Sequence, residues 1–252
     1  MVDFLNGPEG RRIAFEHVPG QGAGQGPGVV FLGGFKSDME GTKALFLKDW
    51  AAAQGRAFLR FDYSGHGQSS GDFEDGSIGD WFADAMAVIA ERTEGPQVLV
   101  GSSMGGWISL LVARAMPDRI AGLVTVAAAP DFTEDGYWAG FSEAQREVVM
   151  RDGRIELPSE YSDQPYVITR RLIEDGRDQL VLRSPLPLPF PVRFLQGTAD
   201  EDVPMGWALR LLDHAEGPDL RLALVKGADH RFSTPDNLAL IAASVEEVLA
   251  RG

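Results

Sequence analysis

Apolar residues along this chain gather in short runs, and most of these runs are separated by longer stretches with helical spacing. The runs fall at 28–32, 57–61, 97–101, 120–127, 192–196 and 220–226. An earlier segment, 11–18 (RRIAFEHV), alternates weakly and reads as an antiparallel strand. Helical spacing marks 42–54, 78–92, 104–116, 204–215 and 235–250. Thr42 is placed to cap the first of these helices. Ser77 and Asp80 make a capping-box pattern for the second, and Thr234-Pro235 puts proline in the first turn of the last. The run 120–127 (IAGLVTVA) is apolar almost throughout, as a strand covered on both faces requires. Strands and helices alternating in this order predict an α/β fold, a mostly parallel sheet with helices on both faces.

The rhythm breaks over 130–190. This stretch carries Tyr137, Trp138, Phe141, Tyr161 and Tyr166, helical patterns at about 141–150 and 164–176, and a turn signal at Asp152-Gly153. It ends in SPLPLPFP (184–191), a stiff extended return. The expectation is one domain, 1–252, with a cap inserted at about 130–190. The Gly/Gln/Pro-rich stretch 19–28 leads into a strand rather than a helix. It lacks the helix dipole that a phosphate loop exploits and reads as a connector.

Candidate chemistry starts at residues 97–107 (QVLVGSSMGGW). An apolar run enters a G-x-S-x-G pentapeptide, Gly101 to Gly105, and an apolar helical stretch leaves it. Strand, sharp turn and helix with Ser103 at the apex resemble the nucleophile elbow of α/β-hydrolases. The turn is tight enough that side chains two before and two after the serine would collide with their neighbours.

A serine hydroxyl needs a base, and the base an orienting acid. Of four histidines, His17 and His66 precede the serine, and His214 sits in a helical pattern. His230 follows the strand 220–226 in a loop, from which a base reaches the elbow. The acid belongs after the strand 192–196, where Asp200, Glu201 and Asp202 crowd together. Asp200, where the loop first leaves the strand, is the candidate; Asp202 reads as a helix-entry residue. Asp131, just after the strand 120–127, is the alternative. Two N–H donors are needed for an oxyanion. Met104, which follows the serine, offers one, and Phe35, after Gly33-Gly34, offers the other. His66, in a glycine-rich loop, reads as structural. The aromatics around Trp138 and Phe141 read as an apolar acyl or aryl pocket, or equally as the underside of the cap.

Composition narrows the classes. The chain has 252 residues, 44% hydrophobic content and a net charge of −14, which argues against nucleic acid and anionic lipid as partners. With no cysteine, disulfides, thiolate metal sites and a cysteine nucleophile are excluded. No cluster has metal-ligand spacing, so neither metal nor cofactor is expected. No apolar run reaches membrane-spanning length, and the first ten residues lack a basic and apolar leader, so a cytoplasmic location is expected.

Further stretches carry a closer resemblance: 39–45 (MEGTKAL), 60–65 (RFDYSG), 95–107, 157–162 (LPSEYS), 183–187 (RSPLP) and 229–231 (DHR). Together they make nearly the whole chain resemble the abhydrolase-domain palmitoyl thioesterases and acyl-glucuronide esterases, as a bacterial-type relative. The resemblance implies an α/β-hydrolase fold: eight mostly parallel strands, with a small, partly helical cap after the sixth. It implies Ser103 as nucleophile, Asp200 as acid and His230 as base. It also implies a small ester or thioester substrate, without deciding between a carboxylesterase and a thioesterase. Glycines before Phe35 replace the His or Pro found in many relatives.

Overall fold

The computed structural model describes residues 1–21, 26–158 and 165–251. A hairpin, β1 (Asp3–Asn6) and β2 (Arg12–Val18), opens the chain. The main alternation follows as β3 (Gly28–Leu32), α1 (Thr42–Ala53), β4 (Phe58–Phe61), α2 (Ile78–Arg92), β5 (Gln97–Ser102), α3 (Met104–Ala115) and β6 (Ile120–Val126). The cap then comprises a π-helical turn (Phe132–Trp138), α4 (Glu143–Asp152), the antiparallel pair β7 (Arg154–Leu157) and β8 (Tyr166–Thr169), and α5 (Arg170–Asp178). The chain returns through β9 (Leu186–Pro187), β10 (Val192–Gly197), α6 (Met205–His214), β11 (Ala215–Glu216), β12 (Leu220–Val225) and α7 (Pro235–Leu249). β9 and β11 form a separate two-stranded parallel sheet.

The main sheet has eight strands in the order β1-β2-β4-β3-β5-β6-β10-β12. β2 runs antiparallel to β1 and β4; the other pairings are parallel. Its central strands β3, β5 and β6 read as nearly continuous apolar runs because both faces are covered. In β5, Leu99 packs with Trp107, Leu110 and Trp81 on the α2–α3 side. Its neighbours Val98 and Val100 pack with Leu47, Ile241 and Val245 on the α1–α7 side. The two-residue period of a strand divides one apolar run between two cores.

Helix ends follow local chemistry. Ser77 Oγ accepts the Asp80 N–H at the start of α2, and Thr234 Oγ1 accepts the Asn237 N–H at the start of α7. At α1 the structure differs from the expected cap: Gly41 holds the N-cap position in extended backbone, and Thr42 is the first helical residue. The helix expected over 164–176 also begins differently. Residues 166–169 form β8, because Tyr-Val-Ile-Thr is a β-branched and aromatic run that finds a partner in β7. Thr169 then caps α5 by accepting the Leu172 N–H. The turn expected at Asp152-Gly153 is the end of α4, where Gly153 takes the left-handed φ of 81°. Tyr161, most of the LPSEYS stretch and part of the 19–28 connector lie outside the described residues. Among the described residues, no helix is long and apolar enough to cross a membrane.

Candidate active site

Parallel strands end on the same edge of the sheet, and at that edge four loops converge. Ser103, between β5 and α3, has φ 54° and ψ −118°, left-handed backbone that a non-glycine residue enters only under constraint. Its N–H donates to Val126 O at 2.9 Å, and its carbonyl accepts from Gly106 and Ala129. A Cβ at Gly105 would strike the Leu32 and Gly33 carbonyls, and one at Gly101 would strike Gly105 O and Ser109 Oγ. The pentapeptide glycines therefore answer to backbone on both flanks of the turn. Ser102 is buried at the end of β5, and both it and Ser103, at the apex of the turn, border a cavity.

His230, beyond β12, brings Nε2 to 3.2 Å from Ser103 Oγ. Its Nδ1 lies 3.1 and 3.0 Å from the two carboxylate oxygens of Asp200, beyond β10. The Asp200 side chain is fully buried, and its remaining acceptor capacity is used. Oδ1 accepts from the Asp202 and Val203 amides at 3.1 and 2.8 Å, and Oδ2 accepts from Gln196 Nε2 at 3.0 Å. Four donors fix the carboxylate, which in turn fixes which imidazole nitrogen carries the proton. The loops that carry Asp200 and His230 are tied together: the Ala199 N–H donates to Ala228 O, and Thr198 Oγ1 accepts the Gly227 N–H. Such a chain can draw a proton from a serine hydroxyl and return it to a leaving group.

The loop after β3 completes the edge. Gly34 lies directly against Ser103, with room of 3.4 Å between a would-be Cβ and the serine Cβ. Met104 opens α3, so its N–H has no partner within the helix and sits at the positive end of the helix dipole. Ser103 and His230 border a cavity of about 630 Å³. One wall is apolar and aromatic, made by Phe35, Phe132, Tyr137, Tyr166 and Trp207. The lining also includes the charged residues Lys43, Arg231 and Asp202. Burial pushes the Lys43 ammonium down to about 8 against the pull of Asp229; its Nζ donates to Arg231 O at 2.6 Å. Burial raises the Tyr137 phenol, so it remains a neutral donor.

Residues 27–169 match the family model described as serine aminopeptidase, S33. The chain belongs to this α/β-hydrolase family. Palmitoyl-protein thioesterase ABHD10, mitochondrial, of Rattus norvegicus is 34% identical over 98% of the chain and 82% of its own length; the Homo sapiens protein is 33% identical over 98% and 80%. Among solved structures, a protein of Agrobacterium vitis S4 superposes with a TM-score of 0.94 at 38% identity, covering 99% of this chain and 98% of that one. Mouse alpha/beta hydrolase domain-containing protein 10 gives 0.90 at 34%, with the same coverage.

In this hydrolase Ser103, His230 and Asp200 come together as expected. Asp131, the alternative acid, points elsewhere. Its carboxylate is fully buried and accepts from the Val181 and Leu182 amides at 2.8 and 3.0 Å and from Arg183 Nη1 at 3.0 Å. It fastens the end of the cap to the start of the π-helical turn. Trp138 and Phe141, expected as pocket residues, do not border the cavity. Trp138 lies under the guanidinium groups of Arg146 and Arg177, and Phe141 is buried against Tyr137. The cause is the π-helical turn. Its wider coil puts Phe132 and Tyr137, five residues apart, on the cavity wall and turns Trp138 toward α4 and α5. Asp202, read as a helix-entry residue, lies in the cavity wall, and α6 starts only at Met205. Trp207, on α6, had no signal beyond being a tryptophan soon after the acid loop. Among the described residues one set of metal-ligand side chains converges within 4.8 Å: Asp200, Asp202 and His230. Asp200 and His230 are already committed to each other and to Ser103.

Proposed function

We propose that this hydrolase cleaves carboxylic esters or thioesters of apolar acyl or aryl acids through an acyl-enzyme intermediate. The hydrogen-bonded series Ser103–His230–Asp200 on the wall of an aromatic-lined cavity carries the reading. His230 Nε2 takes the Ser103 proton as Oγ attacks the acyl carbon. The Phe35 and Met104 N–H groups receive the oxyanion of the tetrahedral intermediate. The imidazolium, stabilised by Asp200, protonates the departing alcohol or thiol as the bond to it breaks. A water molecule then gives its proton to His230 and its oxygen to the acyl carbon, releasing the acid and restoring Ser103. Phe35, Phe132, Tyr137, Tyr166 and Trp207 form the wall for an apolar acyl group.

A fluorophosphonate probe tests the chemistry. One adduct on Ser103 is expected, absent from Ser103→Ala; equal labelling of the two proteins, or none, overturns the reading. The ABHD10 relatives are described as palmitoyl-protein thioesterases, which favours a thioester as a second reading. The ratio of kcat/KM for a matched ester and thioester of the same acyl group decides between them.

A further inference from the structure

His66, which the sequence assigns to structure alone, meets the loop that carries Phe35. The loop turns tightly after Gly34: the Gly34 carbonyl accepts the Ser37 N–H at 3.3 Å and Ser37 Oγ at 2.8 Å. Because the Gly34–Phe35 peptide is trans, this carbonyl bond sets the opposite direction for the Phe35 N–H. The next peptide is held from outside. The Lys36 N–H donates to His66 Nε2 at 3.1 Å. Lys36 has φ 56°, a left-handed value that its neighbours must impose.

His66 is itself fixed. Its Nδ1–H donates to Ser64 O at 3.1 Å, which leaves Nε2 bare as an acceptor. The ring is 4% exposed and meets Tyr63, Phe73 and Trp81 edge to face, with centroids 5.6, 5.1 and 5.1 Å away. The Phe35 ring packs on the same Phe73 and Trp81 at 4.8 and 5.9 Å. One aromatic cluster thus grips the Phe35 side chain and, through His66, the peptide that follows it. Asp62 of the same loop takes the Met39 N–H at 2.7 Å and holds the far end of the turn.

We propose that His66 is a positioning residue for the oxyanion site: as a neutral acceptor it holds the Lys36 amide, and so keeps the Phe35 N–H aimed at the developing negative charge. The proposal rests on the reading of Ser103 as nucleophile and of Phe35 and Met104 as oxyanion donors. Burial pushes the imidazole down to about 4, which keeps Nε2 free of a proton at working pH. A proton there would set N–H against N–H and release the turn.

The test pairs two variants. His66→Phe fills the aromatic cluster but has no acceptor; His66→Gln restores a neutral one. Outright loss of an oxyanion donor costs about 10²–10³-fold in kcat, and misaiming one costs less. His66→Phe is therefore expected to lower kcat roughly 10- to 100-fold, with KM little changed. Its affinity for a boronic acid that forms a tetrahedral adduct on Ser103 falls in parallel, and His66→Gln recovers most of both. Unchanged kcat and boronate affinity in His66→Phe overturn the inference while leaving the nucleophile in place. Activity retained by Ser103→Ala overturns the underlying reading instead. Nitrogen NMR of the wild type supplies a readout independent of the variants' folding. A single tautomer with bare Nε2, persisting below pH 6, is expected; an Nε2–H tautomer, or titration near 6.5, overturns the proposal.

Discussion

Holding Ser103 at φ 54° costs on the order of 1–3 kcal/mol, and the cost is met by contacts that leave the residue no alternative. Its amide and carbonyl are both bonded across the turn. The same logic separates the two buried aspartates. Asp200 spends its carboxylate on the imidazole and on the donors that aim it; Asp131 spends its own on the cap. Asp200→Asn keeps the shape but presents an NH₂ where Nδ1 needs an acceptor, which favours the wrong tautomer. A fall in kcat on the order of 10⁴-fold is expected, with the fold intact. Asp131→Asn should leave kcat within a few-fold while lowering stability by about 1–3 kcal/mol, because one buried N–H loses its acceptor. Steady-state kinetics and urea denaturation of the two variants check both statements. The reverse pattern would move the acid to β6.

At the scale of elements, the elbow is a junction of three: β5, α3 and the end of β3. Gly105 is where they touch, since a Cβ there meets the Leu32 and Gly33 carbonyls, which are backbone and cannot rotate away. Gly105→Ala is expected to cost about 1–3 kcal/mol or more and to push the Phe35 loop outward, lowering Tm and kcat together. A variant with wild-type Tm and kcat would show that the junction is looser than its contacts imply. Elements of this kind were legible in the sequence because each advertises itself locally. The glycines of 101–105, the apolar runs and the Ser77 and Thr234 caps act within a few residues of themselves. β1 was not legible: Asp3–Asn6 shows one buried side chain, Leu5, and becomes a strand only by pairing with β2. Nor was the cap wall, since a helical period of 3.6 sends Trp138 and Phe141 inward where the π-helical turn sends Phe132 and Tyr137. Tyr166 and Trp207 reach the cavity from β8 and α6, a convergence that depends on tertiary packing alone. Chain order picked out Ser103, His230 and Asp200, which the fold brings within hydrogen-bonding reach, because the ends of parallel strands share one edge. The aromatic lining of the cavity obeys no such rule.

Across the whole molecule, the buried groups that shape the site also set how stability depends on pH. His66 binds its proton at about 4 in the fold and near its ordinary 6.5 in the unfolded chain. Between these values the unfolded chain holds more protons than the native state, so stability falls as pH drops from about 6.5 to about 4. Burial likewise lowers His17, which adds to the loss in the same direction. Glu16 acts in a lower window. Lys48, Arg60 and the N-terminal ammonium overcome its burial and hold it at about 2, so its contribution is present above about 4.5 and lost toward 2. The two windows are separable by mutation. From pH 7 to pH 5 the His66 contribution amounts to about 2 kcal/mol. Urea denaturation at these two pH values should therefore show the wild type losing about 2 kcal/mol more than His66→Phe, which has no imidazole to protonate. Equal losses would place the proton uptake on other groups. Under the proposed role the same proton has a second effect: the pH at which His66 is forced to charge is also the pH at which the Lys36 amide loses its acceptor. Native His66 stays neutral across most of the 6.5-to-4 window and charges only toward about 4, so release of the Phe35 loop would follow the loss of stability, at its acid end.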